Sequence, residues 1–125
     1  LRVLIVDDQH AMRKTIRQLL YQSQIKRVTE AESGQEGIDQ IGNSDEPMPD
    51  IVICALHMKN MDGLEFVSKL RRNKNMVPIL ITTGDPDNLL HEVTKQAGAN
   101  KILKIPISGP DLVHEIEGAL GFALG

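Results

Sequence analysis

The sequence predicts a doubly wound α/β fold, in which a mostly parallel five-stranded sheet has helices on both faces. Two observations predict it: short apolar runs are followed by polar or turn residues, and they alternate five times with segments of helical character. Such runs are typical of buried parallel strands. Joining parallel strands through helices requires right-handed crossovers, which place helices on both faces of the sheet. The length of 125 residues suits one domain, expected to span residues 1–125.

Five segments have the composition of strands. Three are strongly apolar, and the other two are rich in β-branched residues or bounded by Gly98 and Pro106. In chain order the predicted strands are Val3–Val6, Arg27–Ala31, Ile51–Ala55, Ile79–Ile81 and Lys101–Ile105. Each is too short to form a helix, so we assign all five to the sheet.

Three of the connecting segments show the apolar spacing of an amphipathic helix. The residues that share a face in each are Met12, Ile16, Leu19 and Leu20; Leu89, Val93 and Ala97; and Leu112, Ile116 and Leu120.

Residues that cap helices mark the start of three connecting helices. Ser33–Glu36 and Asp62–Glu65 have the spacing of a capping box, in which the first side chain accepts a hydrogen bond from the backbone of the fourth residue. Asp85 before Pro86 predicts an N-cap followed by proline at the first helical position. The chain therefore offers five helices for its five strands.

Composition excludes several classes of function. The net charge is −3 and the basic residues are scattered, so no basic stripe is available for direct binding of nucleic acid. No segment approaches the length of a membrane span and the N-terminus does not resemble a signal peptide, so a soluble, cytoplasmic protein without membrane contact is expected. Cys54 is the only cysteine, which excludes an intramolecular disulfide. The four histidines lack metal-ligand spacing on one helix, so zinc is not supported.

Two adjacent carboxylates, Asp7 and Asp8, follow directly on the first strand. A doubly wound sheet opens its ligand crevice at the carboxyl ends of its strands, and paired carboxylates there suit a hard cation such as Mg²⁺. The alternative is that both acids only cap the first helix. The residues alone leave both interpretations open.

Four segments, one of them containing the acid pair, make the sequence resemble the receiver domains of response regulators in two-component signalling, and the single-domain chemotaxis regulators in particular. They are "VLIVDDQHAMR" at Val3–Arg13, "PDIVICALHMKNMDGLEF" at Pro49–Phe66, "VPILITTGD" at Val77–Asp85 and "AGANKILKIPIS" at Ala97–Ser108. The resemblance covers essentially the whole chain. It implies a flavodoxin-like fold of five parallel strands in the order 2-1-3-4-5, with five helices in three layers.

The resemblance also implies an activity and its residues. Family members accept a phosphoryl group from a histidine kinase on an aspartate that ends the third strand, with Mg²⁺ bound beside it. By this resemblance Asp7, Asp8 and the backbone carbonyl of His57 would hold Mg²⁺. Thr83 matches the switch hydroxyl, and Ile102 stands where many family members carry a switching aromatic residue.

Two positions depart from the family pattern. Without any gap, the phosphoacceptor position falls on Ala55 and the position of the phosphate-contacting lysine falls on Ile105. Lys104 is one residue early, and a shift of one residue along a strand turns a side chain to the other face unless a β-bulge intervenes. Asp50 lies five residues before Ala55, roughly 16 Å along a strand, so it is too distant to replace the missing acid.

These departures favour a receiver that accepts no phosphate and acts as a protein-interaction module rather than as an enzyme. Its expected partners are a histidine kinase or a downstream signalling protein, bound through the fourth helix, fifth strand and fifth helix by analogy with the family. Mg²⁺ binding is expected to be weakened. One alternative is a conventional receiver carrying an introduced Asp-to-Ala change. Another is a module that binds a small anion or nucleotide in the emptied pocket, with Lys59 or Lys104 contributing charge.

Overall fold

The computed structural model describes residues 1–125 as five strands and five helices in strict alternation. The strands are Arg2–Val6 (β1), Arg27–Ala31 (β2), Ile51–Ala55 (β3), Ile79–Thr83 (β4) and Lys101–Lys104 (β5). The helices are His10–Gln22 (α1), Gly34–Gly42 (α2), Gly63–Arg72 (α3), Asn88–Ala97 (α4) and Gly109–Leu120 (α5). No helix has both the length and the apolar character needed to cross a membrane.

All neighbouring strands are parallel, in the order β2-β1-β3-β4-β5. This is the order that the sequence resemblance implied, and it is confirmed. The register pairs Val6 with Cys54 and Ala55 with Thr82. The carboxyl ends of β1, β3 and β4 therefore lie side by side, which brings the residues that follow them to one edge of the sheet.

Two hydrophobic cores lie on opposite faces of the sheet. One is packed around Phe66 and contains Ile41 of α2 and Val67 of α3, with Leu90 of α4 partly buried against it. The other contains residues of α1 and α5 such as Leu20 and Leu112. Three helices thus cover one face and two cover the other, giving the three predicted layers.

The predicted strands are correct except at some ends. The bounds of β2 and β3 match the prediction, whereas β1 begins one residue earlier, at Arg2. β4 continues past Ile81 to Thr83, which is buried although it is polar. β5 ends at Lys104, one residue before the predicted end, although the N–H of Ile105 still donates to the carbonyl of Thr83 at 3.0 Å.

Two predicted helix starts are confirmed and one is wrong. Ser33 and Asp62 are the N-caps of α2 and α3, each accepting from the backbone N–H three residues later. The N-cap of α4 is Asp87 rather than Asp85, because the Asp87 carboxylate accepts from the N–H groups of both Leu89 and Leu90. Asp85 instead accepts from the N–H of Asp87 and stabilises the turn before the helix.

Of the apolar stripe predicted for α4, Ala97 packs against the core but Leu89 and Val93 do not. Leu89 is 74% exposed and Val93 is 41% exposed, while the buried residues of this helix are His91 and Thr94. Both polar side chains find partners: the Thr94 hydroxyl donates to the carbonyl of Leu90 at 2.7 Å, and His91 Nε2 lies 2.7 Å from the carbonyl oxygen of Asp85. A polar residue with a hydrogen-bond partner can be buried, so α4 buries His91 and Thr94 while Leu89 and Val93 face solvent.

Candidate functional site

The acid pair, Asp7 and Asp8, lies just beyond the carboxyl end of β1. Asp7 is buried and its Oδ1 accepts from the N–H of Gln9 at 2.9 Å. Asp8 is half-buried and its Oδ2 accepts from the N–H of Lys59, also at 2.9 Å. The second hydrogen bond ties the acid pair to the loop after β3. The N-cap residue of α1 is Gln9, whose side chain makes no capping hydrogen bond. Asp7 accepts from the backbone of that residue, so a role of the acid pair at the start of α1 stays open beside metal binding.

Burial raises the pKa of the Asp7 carboxyl above its usual range, and the neighbouring Asp8 carboxylate acts in the same direction. The N–H of Gln9 and the positive charge of Arg13 oppose the rise but do not cancel it. A buried carboxylate with a like charge beside it favours either a proton or a nearby cation. The electrostatics of this edge therefore suit a bound cation.

Arg13, which the sequence did not single out, holds the loop that carries the acid pair. Its side chain is buried and donates to the backbone carbonyl of Asp7, with N and O 2.6 Å apart. Its Nε donates to Glu30 on β2 at 3.0 Å, and Arg17 donates to the same carboxylate at 2.9 Å. The two arginines and their hydrogen bonds lower the pKa of Glu30 against the opposing effect of its partial burial. Spacing along α1 puts Arg13 and Arg17 on one face, but only the fold brings Glu30 to them.

The carboxyl end of β3 presents a methyl group to this edge. Ala55 is 8% exposed. Because Cys54 pairs with Val6, the next residues of the two chains, Ala55 and Asp7, lie at the same level of the sheet. The chain of α3 lies close against it: a Cβ added to Gly63 would lie 2.6 Å from the carbonyl oxygen of Ala55. A methyl group offers no oxygen for attack on phosphorus or for a metal.

The positions expected to contact a phosphoryl group lie on β4 and after β5. Thr83 is buried, and its Oγ1 accepts from the N–H of Asp85 at 2.9 Å. Ile105 lies beside Gly84, since a Cβ built there would be 3.5 Å from the Ile105 side chain. Lys104 is exposed and pairs in regular register with Thr83, so β5 has no bulge that would turn this lysine into the crevice. Ile102, at the aromatic switch position, is half-buried against the core around Phe66.

A polar bridge joins the loops after β3 and β4. His57 Nε2 lies 3.3 Å from Asp85 Oδ2, which makes an ion pair when the imidazole is protonated. The backbone of Asp85 contacts both Thr83 and His91. Sequence reasoning assigned only the carbonyl of His57 to the site, because the partner of its side chain comes from a different loop.

No third acid completes the acid pair. The structure contains no group of three or more His, Cys, Asp and Glu side chains that could hold a metal ion. Asp62 caps α3, and Asp50 lies at the opposite end of the sheet, where its Oδ2 accepts from the N–H of Arg2 at 2.7 Å. The acid pair therefore offers a metal two carboxylates and no third acidic side chain. Mg²⁺ usually binds one or two carboxylates and keeps several waters, so this reduced donor set still fits that ion.

Comparison with known proteins identifies the family. Residues 3–117 match the family model described as the response regulator receiver domain. A probable chemotaxis protein CheY from Rhizobium etli is 32% identical over 123 residues, covering 97% of this chain and 93% of that protein. The transcriptional regulatory protein PdtaR from Mycobacterium tuberculosis is 32% identical over 119 residues. The chain belongs to the receiver domains of two-component response regulators.

Solved structures agree with this assignment. The chemotaxis protein CheY4 from Vibrio cholerae has a TM-score of 0.83 at 26% identity, covering 95% of this chain and 98% of that one. A putative response regulator from Chloroflexus aurantiacus has a TM-score of 0.85 at 28% identity, covering 96% of this chain and 97% of that one. The match spans nearly all of the Rhizobium protein but only 56% of PdtaR.

Proposed function

We propose that this receiver domain accepts no phosphoryl group and instead works as a protein-interaction module. The observation that supports the proposal is the methyl group of Ala55 at the end of β3, beside the acid pair. Phosphoryl transfer onto a protein needs a nucleophilic oxygen placed near the metal. Two acids in the loops after β3 and β4 have other partners: Asp62 caps α3 and Asp85 pairs with His57.

The residue in the lysine position supports the same proposal. Ile105 places an apolar side chain beside Gly84, where a cation would be needed to offset phosphoryl oxygens. Losing one acid at Ala55 and one base at Ile105 leaves the local net charge unchanged. A lysine without its acidic partner would be costly to bury, so the two changes suit each other. This pairing favours a naturally degenerate site over an introduced Asp-to-Ala change.

In this proposal Mg²⁺ binds weakly, through Asp7, Asp8 and the backbone carbonyl of His57. The ion would supply positive charge to the buried acid pair. The roles of Thr83 and Ile102 in any switch are proposed on the family resemblance alone, and so is a cytoplasmic location. The domain is proposed to have no enzymatic activity and to make no direct contact with nucleic acid.

The surface proposed for partner binding is formed by α4, β5 and α5. Leu89 and Val93 expose apolar side chains on α4, which a partner protein could cover. Exposed apolar residues grouped in this way are typical of interaction sites. The expected partners are a histidine kinase or a downstream signalling protein.

Phosphorylation by a small-molecule donor tests the proposal directly. After incubation with Mg²⁺ and the donor, intact-mass measurement is expected to show no added phosphoryl group, and hydroxylamine to release none. The same assay is then run on Ala55→Asp and on Ala55→Asp with Ile105→Lys. Labelling of the double variant alone supports natural degeneration, whereas full labelling of Ala55→Asp favours an introduced change. An acyl phosphate on the unaltered chain contradicts the proposal.

The alternative of a small anion in the emptied pocket has less support. Lys104 is exposed and follows the regular register of β5, away from the crevice. Lys59 contributes its backbone N–H to Asp8, and its side chain is exposed. The acid pair itself repels an anion, so this pocket is better suited to a cation.

A further inference from the structure

A sizeable cavity lies far from the acid pair. It measures about 700 Å³ and opens at the amino ends of β1 and β2, beneath the C-terminal end of α2 and the connector that follows it. This volume is within the range of small-molecule sites, about 300–1,000 Å³. The acid pair lies at the carboxyl ends of the strands, so this cavity, here called the β2 cavity, is a separate feature.

Two exposed arginines line the β2 cavity. Arg2 on β1 and Arg27 on β2 are direct cross-strand partners, so their side chains leave the sheet on the same face. That face is the one covered by α2, because Leu4 and Ala31, which alternate with the arginines, pack in the same core as Ile41. The cavity therefore has two guanidinium groups rooted on adjacent strands, about 4.8 Å apart.

The positive charge in the β2 cavity is only partly offset by the protein, through the free carboxylate of Glu46 and that of Asp50 at the backbone of Arg2. Like charges directly opposite on neighbouring strands destabilise a sheet, yet neither Arg2 nor Arg27 takes part in an ion pair. Lys26 also lines the cavity without an ion-pair partner. Of the two acids in the lining, Glu30 is bound by Arg13 and Arg17, which leaves only Glu46 free.

The edge of β2 is already covered in a way that disfavours a peptide ligand. The outward carbonyl of Val28 accepts from Arg17, and that of Glu30 accepts from the Gln40 side chain, both at 3.0 Å. A peptide that extended the sheet would need those carbonyls for its own backbone hydrogen bonds. A compact ligand that enters beside the strand does not.

We propose that the β2 cavity binds a small phosphorylated compound of about the size of a nucleotide. Arg2 and Arg27 would contact the phosphate, since guanidinium groups bind phosphate oxygens through paired charge-assisted hydrogen bonds. Lys26 adds charge at the rim, and Thr29 and Asn43 offer polar groups to the rest of the ligand. The inference is independent of the proposed interaction function, because none of these residues lies on α4, β5 or α5.

Amide NMR titration of the full chain tests the inference, with AMP, inorganic phosphate and adenosine as probes at constant ionic strength. AMP is expected to shift the amides of Thr29 and Asn43, phosphate to shift them less, and adenosine to leave them unchanged. Arg2→Gln and Arg27→Gln are each expected to weaken AMP binding about tenfold or more, the effect of losing one charged hydrogen-bonding group. Lys101→Gln, in the groove between α4 and β5, is the matched control and should bind AMP normally.

Several results would overturn the inference. One is the absence of any shift with either AMP or phosphate. Another is a set of shifts at Asp7, Asp8 and Lys59 in place of Thr29 and Asn43, which would locate the anion in the emptied pocket. Equal weakening by Lys101→Gln would show nonspecific attraction to positive charge. Loss of fold does not obscure the test, because removing one of two neighbouring like charges is expected to leave the melting midpoint unchanged or higher.

Discussion

At the scale of single residues, the site is defined by the carboxylates of Asp7 and Asp8, which have no positively charged side chain paired with them. Asp7 is 4% exposed and has a carboxylate neighbour, but Ala55 and Ile105 bring neither a third acid nor a cation to it. The guanidinium of Arg13 approaches the Asp7 backbone carbonyl rather than its carboxylate. The negative charge of Asp7 is therefore only partly compensated, and this has a consequence for stability.

Replacing Asp7 by asparagine is expected to stabilise the domain near neutral pH, by roughly 1 kcal/mol, the usual size of a single-residue effect. Burial and Asp8 raise the pKa of Asp7 in the folded state, so the folded chain holds its proton more tightly than the unfolded chain. The stability that the bound proton contributes is fully present at pH values below the pKa of Asp7 in the unfolded chain. It is lost as the pH rises through the higher pKa of Asp7 in the folded chain. Asparagine removes this loss while still accepting from the N–H of Gln9.

Urea denaturation at pH 7 and at pH 3.5 measures the effect, with Mg²⁺ removed by chelation. The difference between Asp7→Asn and the unaltered chain should be present at pH 7 and shrink at pH 3.5. Asp39→Asn, on the exposed face of α2, serves as the control. If Asp7→Asn lowers stability equally at both pH values, the carboxylate is stabilising and the interpretation is wrong.

At this scale, the sequence predicted the positions of residues that end or follow strands. It did not predict contacts between side chains of one helix and the backbone of another. Asp7, Asp8, Ala55 and Thr83 could be placed because each ends or follows a strand whose neighbours the fold class fixes. Arg71 could not: its guanidinium donates to the carbonyls of Gly98, Asn75 and Val77, joining the ends of α3 and α4. Nothing in local spacing shows that an arginine near the end of one helix will bind the end of another.

At the scale of elements, α4 shows why local sequence signals can mislead. Asp85 followed by Pro86 has the pattern of a helix start, but the turn continues two residues further and the helix begins after Asp87. Likewise, the i, i+4 spacing of Leu89 and Val93 reveals a helical face without revealing which face is buried. Tertiary contacts decide that question. His91 can be buried because its ring contacts the carbonyl of Asp85, an interaction that spacing alone does not show.

The two aspartates before α4 are expected to contribute unequally to stability. Asp87→Ala should lower the free energy of unfolding by about 1 kcal/mol, because it removes the acceptor of two N–H groups in the first turn. Asp85→Ala should lower it by less. Its ion pair with His57 is largely exposed and such pairs contribute little, and its other acceptor role serves only the turn before the helix.

Chemical denaturation of the two alanine variants makes the comparison at constant pH and salt. The corresponding asparagine variants act as matched controls, because asparagine also caps helices well. Asp87→Asn should therefore recover most of the stability lost in Asp87→Ala. A larger loss for Asp85→Ala than for Asp87→Ala would place the functional cap two residues earlier than the structure does.

At the scale of the whole molecule, the fold could be predicted from the alternation of strands and helices along the sequence. Five strands and five helices in turn leave few parallel arrangements, and the family resemblance selected the strand order that the structure has. That order aligns the carboxyl ends of β1, β3 and β4, so the site is a product of the sheet rather than of any one loop. The β2 cavity had no comparable signal, because Arg2 and Arg27 become neighbours only through strand register.

Because the site joins three strands of one cooperative domain, metal binding there should change the stability of the entire fold. A ligand that binds only the folded state adds stability of about 2.7 kcal/mol when present at 100 times its dissociation constant. The unaltered chain, with two carboxylates, is expected to gain little from millimolar Mg²⁺. Ala55→Asp adds a third carboxylate beside Asp7 and Asp8, so it should be less stable than the unaltered chain without the ion and gain much more with it.

Thermal unfolding monitored by circular dichroism, with and without Mg²⁺, measures both gains. The difference in stability between the two proteins depends on charge. Three clustered carboxylates repel one another, and a divalent cation bound between them offsets this repulsion. Adding Asp8→Asn to Ala55→Asp is the control, since it removes one carboxylate and should abolish most of the Mg²⁺-dependent shift. Equal shifts in the unaltered chain and Ala55→Asp would mean that Ala55 does not face the metal position, and the account of an incomplete phosphorylation site would then be wrong.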